Sequence, residues 1–177
     1  MQTLAQGAEP ADERLIVPGK SIGKTHLGSN GLAYLKDLPK PDASDPGMSQ
    51  NRLIWISGKA PEANTLFIHT VANGVIDAKP PEGMTIDEIR ITSAEFHTPE
   101  GIKCGSTFAE IRKVFPDLKP VEESTGTILQ DTAHGAAFEF TEAAKDDSQC
   151  IAITVFAPDA AHITSRDQVA RLLKDHP

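Results

Sequence analysis

The clearest helical pattern of apolar residues lies between Thr107 and Pro116. Apolar side chains recur there at the spacing of one helix face, at Phe108, Ile111 and Phe115. Thr107 followed by Glu110 matches a capping box, in which each side chain satisfies a backbone N–H at the start of a helix. Because Pro116 cannot continue the hydrogen-bond ladder, the pattern predicts a helix that begins at Thr107 and ends at Phe115.

Two further segments have helical patterns. The first runs from Asn30 to Leu38, with Asn30 as a suitable cap and an apolar stripe at Leu32, Leu35 and Leu38. Gly31 makes this predicted helix the less stable copy of the one at Thr107. The second runs from Arg166 to Lys174, with Ser165 as its cap and a stripe at Val169, Leu172 and Leu173.

Short segments rich in β-branched or aromatic residues, bounded by turn residues, predict strands. They are residues 52–57, 65–72, 75–77 and 88–93 before the strong helix, and 127–130, 136–141 and 149–156 after it. Asn73 and Gly74 match a tight two-residue hairpin turn between the strands at 65–72 and 75–77. A helix followed by a run of strands therefore occurs twice along the chain.

This order predicts an α+β fold made of two repeats of one helix plus a three-stranded antiparallel meander, with a C-terminal helix. The predicted divisions are a disordered tail over residues 1–14, a first repeat over 15–97, a second repeat over 98–158 and the C-terminal helix over 159–177. One helix laid on a small meander is about the minimum cover for its apolar face.

The chain has 17 Lys and Arg against 25 Asp and Glu, a formal net charge of −8. Binding to a nucleic-acid backbone needs a concentrated basic surface. We therefore expect no nucleic-acid partner for a chain with this negative charge. No apolar run approaches the length of a bilayer-spanning helix. The polar start of the chain, residues 2–10, resembles the stub left after a signal peptide is removed, which predicts a periplasmic or secreted protein.

The helix motif and the strands that follow it carry a family resemblance. Residues 105–116, Gly-Ser-Thr-x-x-Glu-Ile-x-x-x-Phe-Pro, followed by a meander, resemble the small α/β modules of bacterial envelope proteins. The families most similar in layout are the SmpA/OmlA (BamE-like) outer-membrane assembly lipoproteins and the tandem-module β-lactamase inhibitory proteins. The resemblance implies an exported protein that binds other proteins and has no catalytic residues.

The single tryptophan gives a candidate interaction surface. Both parities of the strand at 52–57 are apolar, so if one parity faces the helix, Leu53 and Trp55 emerge on the opposite sheet face. Phe67 and His69 of the neighbouring strand join them there in this interpretation. Aromatic residues on an open face are typical anchors for a partner. The alternative is that the two repeats bury this face against each other.

The two cysteines, Cys104 and Cys150, permit one disulfide bond, and the alternative is two unpaired thiols that behave as small hydrophobic groups. Other chemistry is weakly supported. His69, Glu95 and His97 would form a metal site only if their strands converge. Ser106 has the position of a nucleophile at a helix start, but also that of a turn serine.

We therefore expect no catalytic, cofactor-binding or metal-binding residues and no cofactor. The first hypothesis is a non-enzymatic, exported module of the bacterial cell envelope that binds a protein or peptide. The alternative is a small hydrolase with its site between the repeats, and a third hypothesis is a self-associating component of the envelope. A cleft lined by buried titratable groups would favour the hydrolase.

Overall fold

A computed structural model describes most of the chain. The described residues are 12–30, 36, 38–47, 49–59, 62–73, 83–160 and 164–175. They form one large antiparallel sheet, one small sheet and two short helices.

The large sheet has eight strands, which are β4 (Ala43–Pro46), β5 (Gln50–Ser57), β6 (Asn64–Ala72), β7 (Met84–Ile91), β8 (Lys119–Glu123), β9 (Gly126–Asp131), β10 (Ala136–Glu139) and β11 (Ala152–Phe156). Their order across the sheet is β4-β5-β6-β7-β11-β10-β9-β8, and every neighbouring pair is antiparallel. Two four-stranded meanders, β4 to β7 and β8 to β11, thus meet where β7 pairs with β11. In that central pair Ile91 lies opposite Ile153.

The small sheet consists of β1 (Ile16–Val17), β2 (Ser21–Ile22) and β3 (Thr25–His26). The described helices are α1 (Phe108–Val114) and α2 (Arg166–Asp175). Ile16 and Ile22 are buried in the same cluster as Ile111 of α1. The small sheet and α1 therefore cover one face of the large sheet, which we call the first face.

The first face carries the main hydrophobic core. Residues that alternate along the strands point into it, including Leu53, Ile68, Ile89, Leu129, Phe138, Ile153 and Val155. Most of these side chains are aliphatic and at most a few per cent exposed. Their burial is the largest favourable contribution to folding that the sheet provides.

The other parity forms the second face, which is covered in part by α2. Ile54 and Phe67 lie opposite each other in the β5/β6 pair and pack with Val169 and Leu172 of α2. The helix predicted from Arg166 to Lys174 is confirmed as α2, which has the expected apolar stripe and the cap from Ser165. A sheet buried on both faces needs apolar residues at both parities, which is what residues 53–56 contain.

The predicted α+β fold of two helix-plus-meander repeats is wrong. The fold is mostly antiparallel β-structure, and the described residues include two short helices rather than a helix for each meander. The helix predicted from Thr107 to Phe115 is confirmed as α1, including its capping box. Most of the helix predicted from Asn30 to Leu38 lies outside the described residues, and Asn30 itself forms a bridge to Thr85.

The strands also differ from the prediction of three per meander. Each meander has a fourth strand at an edge of the sheet, β4 or β8, in a stretch that the sequence indicates as a polar connection. Residues 75–77 lie outside the described residues, and the described partner of Ala72 at the end of β6 is Met84 of β7. The tandem-repeat features that suggested SmpA/OmlA-like and β-lactamase inhibitory modules are therefore not found among the described elements. The division at residues 97 and 98 stays a prediction.

Candidate functional site

A groove of about 540 Å³ opens beside the end of α1, a volume within the range of small-ligand pockets. It lies between the end of that helix and the turn that joins β9 to β10. Its apolar lining consists of Pro18, Val114, Phe115, Leu118, Ala136 and Phe138, and its rim of Pro116, Asp117, Lys119, Gln130, Asp131, Thr132, Ala133 and His134. An apolar lining with a few polar groups at the mouth is the usual composition of a binding pocket.

The floor of the groove follows from where α1 ends. The residue before a proline is disfavoured in helical conformation, and Phe115, which precedes Pro116, is the C-cap with φ of −120° and ψ of 77°, outside the helical region. This bend brings the Phe115 ring onto Phe138 of β10, with ring centroids 5.6 Å apart and planes 27° from parallel. The stacked pair gives the groove an aromatic floor.

The rim carries a histidine–carboxylate pair. The backbone N–H of His134 donates to Oδ1 of Asp131 at 3.0 Å, and Nδ1 of its ring lies 2.6 Å from Oδ2. The Asp131 side chain is 23% exposed, whereas that of His134 is 78% exposed. The carboxylate thus fixes the ring through Nδ1 and turns Nε2 towards the solvent, where a ligand can reach it.

The turn that holds this pair is locked by the backbone around Gly135. Its N–H donates to the Asp131 carbonyl at 2.9 Å, and its carbonyl accepts from the N–H groups of Gly19 at 3.0 Å and Phe156 at 3.1 Å. Gly135 has φ of +73°, and a Cβ there would overlap the Phe156 carbonyl oxygen. Glycine is required here both for its backbone conformation and for the close approach of two other segments. The rim is therefore preformed.

A larger cavity of about 960 Å³ lies elsewhere on the first face, with Trp55, Leu66 and Phe96 among its apolar walls. Ser29 and Leu38 on its wall flank residues 31–35 and 37, which are outside the described part of the chain. For this reason the smaller groove, whose neighbouring segments are all described, is the better-defined site.

The structure does not bring the four residues of the predicted interaction face together. Leu53 and Trp55 belong to the first face, opposite Ile68 and Leu66, while Phe67 and His69 belong to the second. Two of these side chains are also buried, since Trp55 is 7% exposed and Phe67 is fully buried. The Trp55 indole N–H donates to the Pro39 carbonyl at 2.7 Å.

His69 has two polar partners. Its Nδ1 lies 2.7 Å from Oδ1 of Asp87, and its Nε2 lies 3.2 Å from Oε1 of Gln50. The metal site considered from the sequence would need Glu95 and His97 beside it. Within the part of the chain that is described, no three His, Cys, Asp or Glu side chains are grouped closely enough to hold a metal ion. Ser106 is nearly buried and its hydroxyl accepts a hydrogen bond from the Lys103 N–H at 3.2 Å, as a turn serine does.

Three buried titratable groups lie on the second face: Glu88, Arg90 and Glu139. None of them lines the groove or the larger cavity. Burial raises the pKa of Glu88 to about 7, although the Thr164 N–H donates to both of its carboxyl oxygens at 3.0 Å. This contact attaches the segment before α2 to the middle of the sheet, so it has a structural role.

The groove residues were not predicted from the sequence as site residues. Asp131 and His134 had a local signal, since Asp-Thr-Ala-His-Gly is a sequence in which an aspartate accepts from a backbone N–H a few residues later. Their position beside Phe115 had no such signal, because it depends on packing between α1 and β10.

Neither described helix is long and apolar enough to cross a membrane.

Comparisons with known proteins add little to this geometry. No protein-family model matches the sequence, and no curated protein matches it. Among solved structures, the crystal structure of the uncharacterized protein yfeY from Escherichia coli is similar with a TM-score of 0.41 and 11% sequence identity, over 81% of this chain and 97% of that chain. A likeness this distant supports no statement about family or function.

Proposed function

We propose that the chain is a non-enzymatic binding protein that takes an apolar side chain of a protein or peptide partner into the groove beside α1. The observation that carries this proposal is the preformed groove itself, with the stacked Phe115 and Phe138 rings at its floor and the Asp131–His134 pair at its rim. A large apolar side chain buried in such a groove is the usual anchor of a peptide interface.

The charge of the chain favours a basic partner. The formal net charge is −8, and Asp117 and Asp131 lie on the rim of the groove. Two glutamates, Glu122 and Glu123, extend along the adjacent exposed strand β8. Opposite charges at an interface steer association and set its specificity. We therefore expect a peptide segment with Arg or Lys next to an aromatic or large aliphatic residue.

The sheet edges are less suitable for a partner. The outer strands β4 and β8 contain Pro46 and Pro120, and proline cannot donate a backbone hydrogen bond to an added strand. β8 is also exposed along its whole length and carries three charged residues, Lys119, Glu122 and Glu123. These are features of edges that resist pairing with another chain, so recognition through the groove is favoured over strand addition.

The absence of a suitable nucleophile beside the histidine favours binding over catalysis. Among the described residues that line the groove, Thr132 has the only hydroxyl group, and there is no cysteine. The hydrolase remains a second candidate because the Asp131–His134 contact of 2.6 Å resembles the pair in which a carboxylate orients a histidine base. In that case the histidine would activate a water molecule. Export to the periplasm or outside the cell stays a prediction that rests on residues 2–10.

A direct test measures the binding of labelled peptides that differ only at a central Phe, Leu or Ser, flanked either by Arg or by Glu. Fluorescence anisotropy should show binding of the Arg-flanked Phe and Leu peptides and little binding of the others. Ala133→Arg places bulk and positive charge at the exposed rim, and we expect it to weaken binding at least tenfold. Ala170→Arg, at an exposed position of α2 on the other side of the sheet, is the matched control.

Two results would overturn the proposal. One is that no peptide of the set binds, and the other is that binding is equally strong in the Ala133→Arg and Ala170→Arg variants. The hydrolase candidate is tested with chromogenic ester and phosphate substrates. Turnover by the unmodified chain that is retained in Ala170→Arg and lost in His134→Ala would favour that candidate over a binding protein.

A further inference from the structure

The two cysteines lie next to each other in the main core. Cys104 is in the turn before α1 and Cys150 is just before β11. Cys104 is 5% exposed and Cys150 is 2% exposed, and both belong to the cluster of buried residues on the first face. They are separated by a long stretch of chain that includes α1 and three strands, so only the fold brings them together.

Backbone hydrogen bonds hold their segments side by side. The Gly105 N–H donates to the Cys150 carbonyl at 2.8 Å, and the Cys150 N–H donates to the Ser106 carbonyl at 2.9 Å. The contact continues as an isolated antiparallel bridge between Thr107 and Gln149. These contacts fix the two backbones next to each other at the cysteines.

The thiols themselves interact. Burial raises the pKa of the Cys150 thiol well above its usual value, and the neighbouring Cys104 thiol raises it further. In the reduced state Cys150 donates to the Ala152 carbonyl at 3.2 Å and Cys104 to the Ile91 carbonyl at 3.8 Å. The raised pKa keeps the Cys150 thiol protonated, as its hydrogen bond to the Ala152 carbonyl requires.

From the burial of both thiols in one cluster and the backbone hydrogen bonds between their segments, we infer that Cys104 and Cys150 form an intramolecular disulfide bond when the chain folds in the presence of a disulfide oxidant. In the reaction, one thiolate attacks the oxidant and forms a mixed disulfide. The second thiolate then displaces the oxidant from it, which forms the S–S bond. Two protons are lost from the cysteines, and the oxidant is reduced to two thiols. This inference does not depend on the proposed function.

The disulfide should form before the core closes. A thiol reacts as its thiolate, and burial restricts the access of a reagent to both thiols, while the raised pKa of the Cys150 thiol also suppresses its ionisation. We therefore expect the folded, reduced chain to react slowly with iodoacetamide and with glutathione disulfide. Unfolded chain should react with both at the rate of ordinary thiols.

Refolding from guanidinium chloride tests the inference, once with glutathione disulfide and once with a reductant. Mass spectrometry of the first sample should give a mass lower by two hydrogen atoms and a non-reduced proteolytic peptide that joins Cys104 to Cys150. Its melting temperature should be higher than that of the reduced sample by about 10 °C, because the cross-link restricts the unfolded chain. Cys104→Ala leaves one thiol and should yield the glutathione mixed disulfide instead.

Two free thiols after oxidative refolding, or a glutathione adduct on each cysteine, would overturn the inference. So would a disulfide that forms only between chains. An oxidised sample with the cross-link but the melting temperature of the reduced one would also contradict it, because the bond would then be formed outside the native arrangement. None of these readouts involves a ligand, so they are independent of the peptide-binding measurements.

Discussion

Arg90 on β7 and Glu139 on β10 form a bidentate ion pair that is buried on the second face of the large sheet. Nε of the arginine donates to Oε1 at 2.7 Å and an Nη donates to Oε2 at 2.8 Å. The pair reaches across β11, and the small side chain of Ala152, which lies opposite Glu139, leaves room for the guanidinium. Both charged side chains are at most 4% exposed.

Arg90 keeps its charge although it is buried. Burial by itself would lower the pKa of the Arg90 guanidinium, but hydrogen bonds and the charge of Glu139 raise it above its usual value. Desolvation of two charges costs several kcal/mol and is offset only when the partners and geometry are good. We therefore expect the pair to fix the register of β7, β11 and β10 more than it adds to stability.

Removal of one partner should be much more costly than removal of both. We expect Arg90→Met to lower the free energy of unfolding by about 3–5 kcal/mol, because it leaves Glu139 buried without its partner. The double variant Arg90→Met/Glu139→Leu should recover most of that loss. Urea denaturation followed by the fluorescence of Trp55, the one tryptophan, measures both. A single variant within 1 kcal/mol of the unmodified chain would contradict the role assigned to this pair.

The stability of the fold should depend on the protonation of Glu88. Its pKa is raised from 4.5 to about 7 by burial. The unfolded chain therefore loses this proton at lower pH than the folded chain does. Ionisation of buried Glu88 lowers the free energy of unfolding. This loss is absent below about pH 4.5, grows as pH rises and is complete above about pH 7. It amounts to roughly 3 kcal/mol.

Glu88→Gln tests this dependence, because an amide oxygen can still accept from the Thr164 N–H. The difference in free energy of unfolding between the variant and the unmodified chain should be larger at pH 8 than at pH 4. Denaturant titrations at both pH values measure it. A difference that stays constant with pH would show that the carboxyl group keeps its ordinary pKa.

The rim of the groove should not tolerate a side chain at Gly135. Gly135→Ala combines a φ of +73° with an approach of 2.9 Å to Gly19 Cα, and we expect a loss of about 3 kcal/mol or more. Gly28 has a similar φ of +76° with nothing within 4 Å of an added Cβ, so Gly28→Ala should lose only about 1 kcal/mol. Thermal unfolding compares the two. Equal losses would mean that the close approach has no energetic effect.

The start of α1 depends on the hydroxyl of Thr107. The Glu110 N–H donates to this oxygen at 3.2 Å, and the Thr107 N–H donates to the Glu110 carboxylate at 2.7 Å. Hydrogen bonds to the Glu110 carboxylate from the backbone N–H of Thr107, and to a smaller extent from the Thr107 side chain, lower the pKa of Glu110. Thr107→Ala should cost about 1 kcal/mol, and Thr107→Ser should cost much less because it keeps the oxygen. Urea denaturation distinguishes them, and the two variants should differ clearly if the cap is effective.

Local features of the sequence predicted α1 and α2 correctly. The capping residues Thr107 and Ser165 and the proline stop at Pro116 act on neighbours only a few residues away. The central strands β5, β6 and β7 and the second set β9, β10 and β11 were also indicated, because their β-branched residues lie between turn residues. The edge strands β4 and β8 were missed because β8 is exposed along its whole length and β4 buries only Ala43, so neither shows an apolar alternation.

The residues that share a face of the sheet, and those that meet at the groove, were much harder to predict. Leu53 and Phe67 are apolar residues in neighbouring strands, and their register places them on opposite faces of the sheet. A shift of one residue would have exchanged the faces, and the sequence offers no local constraint on that shift. The groove depends on the stacking of Phe115 on Phe138. This contact joins the end of α1 to β10, and no local pattern in the sequence predicts it.

The amino-acid sequence alone therefore determined the two described helices, the main strands and the negative charge, because periodicity, capping and composition act over a few residues. Tertiary structure alone decided that all eight strands join one sheet, which residues share a face, and which groups meet at the groove and at the cysteine pair. Those outcomes depend on hydrogen bonds and packing between segments far apart in the chain, and their energies are set by register and burial rather than by any local pattern.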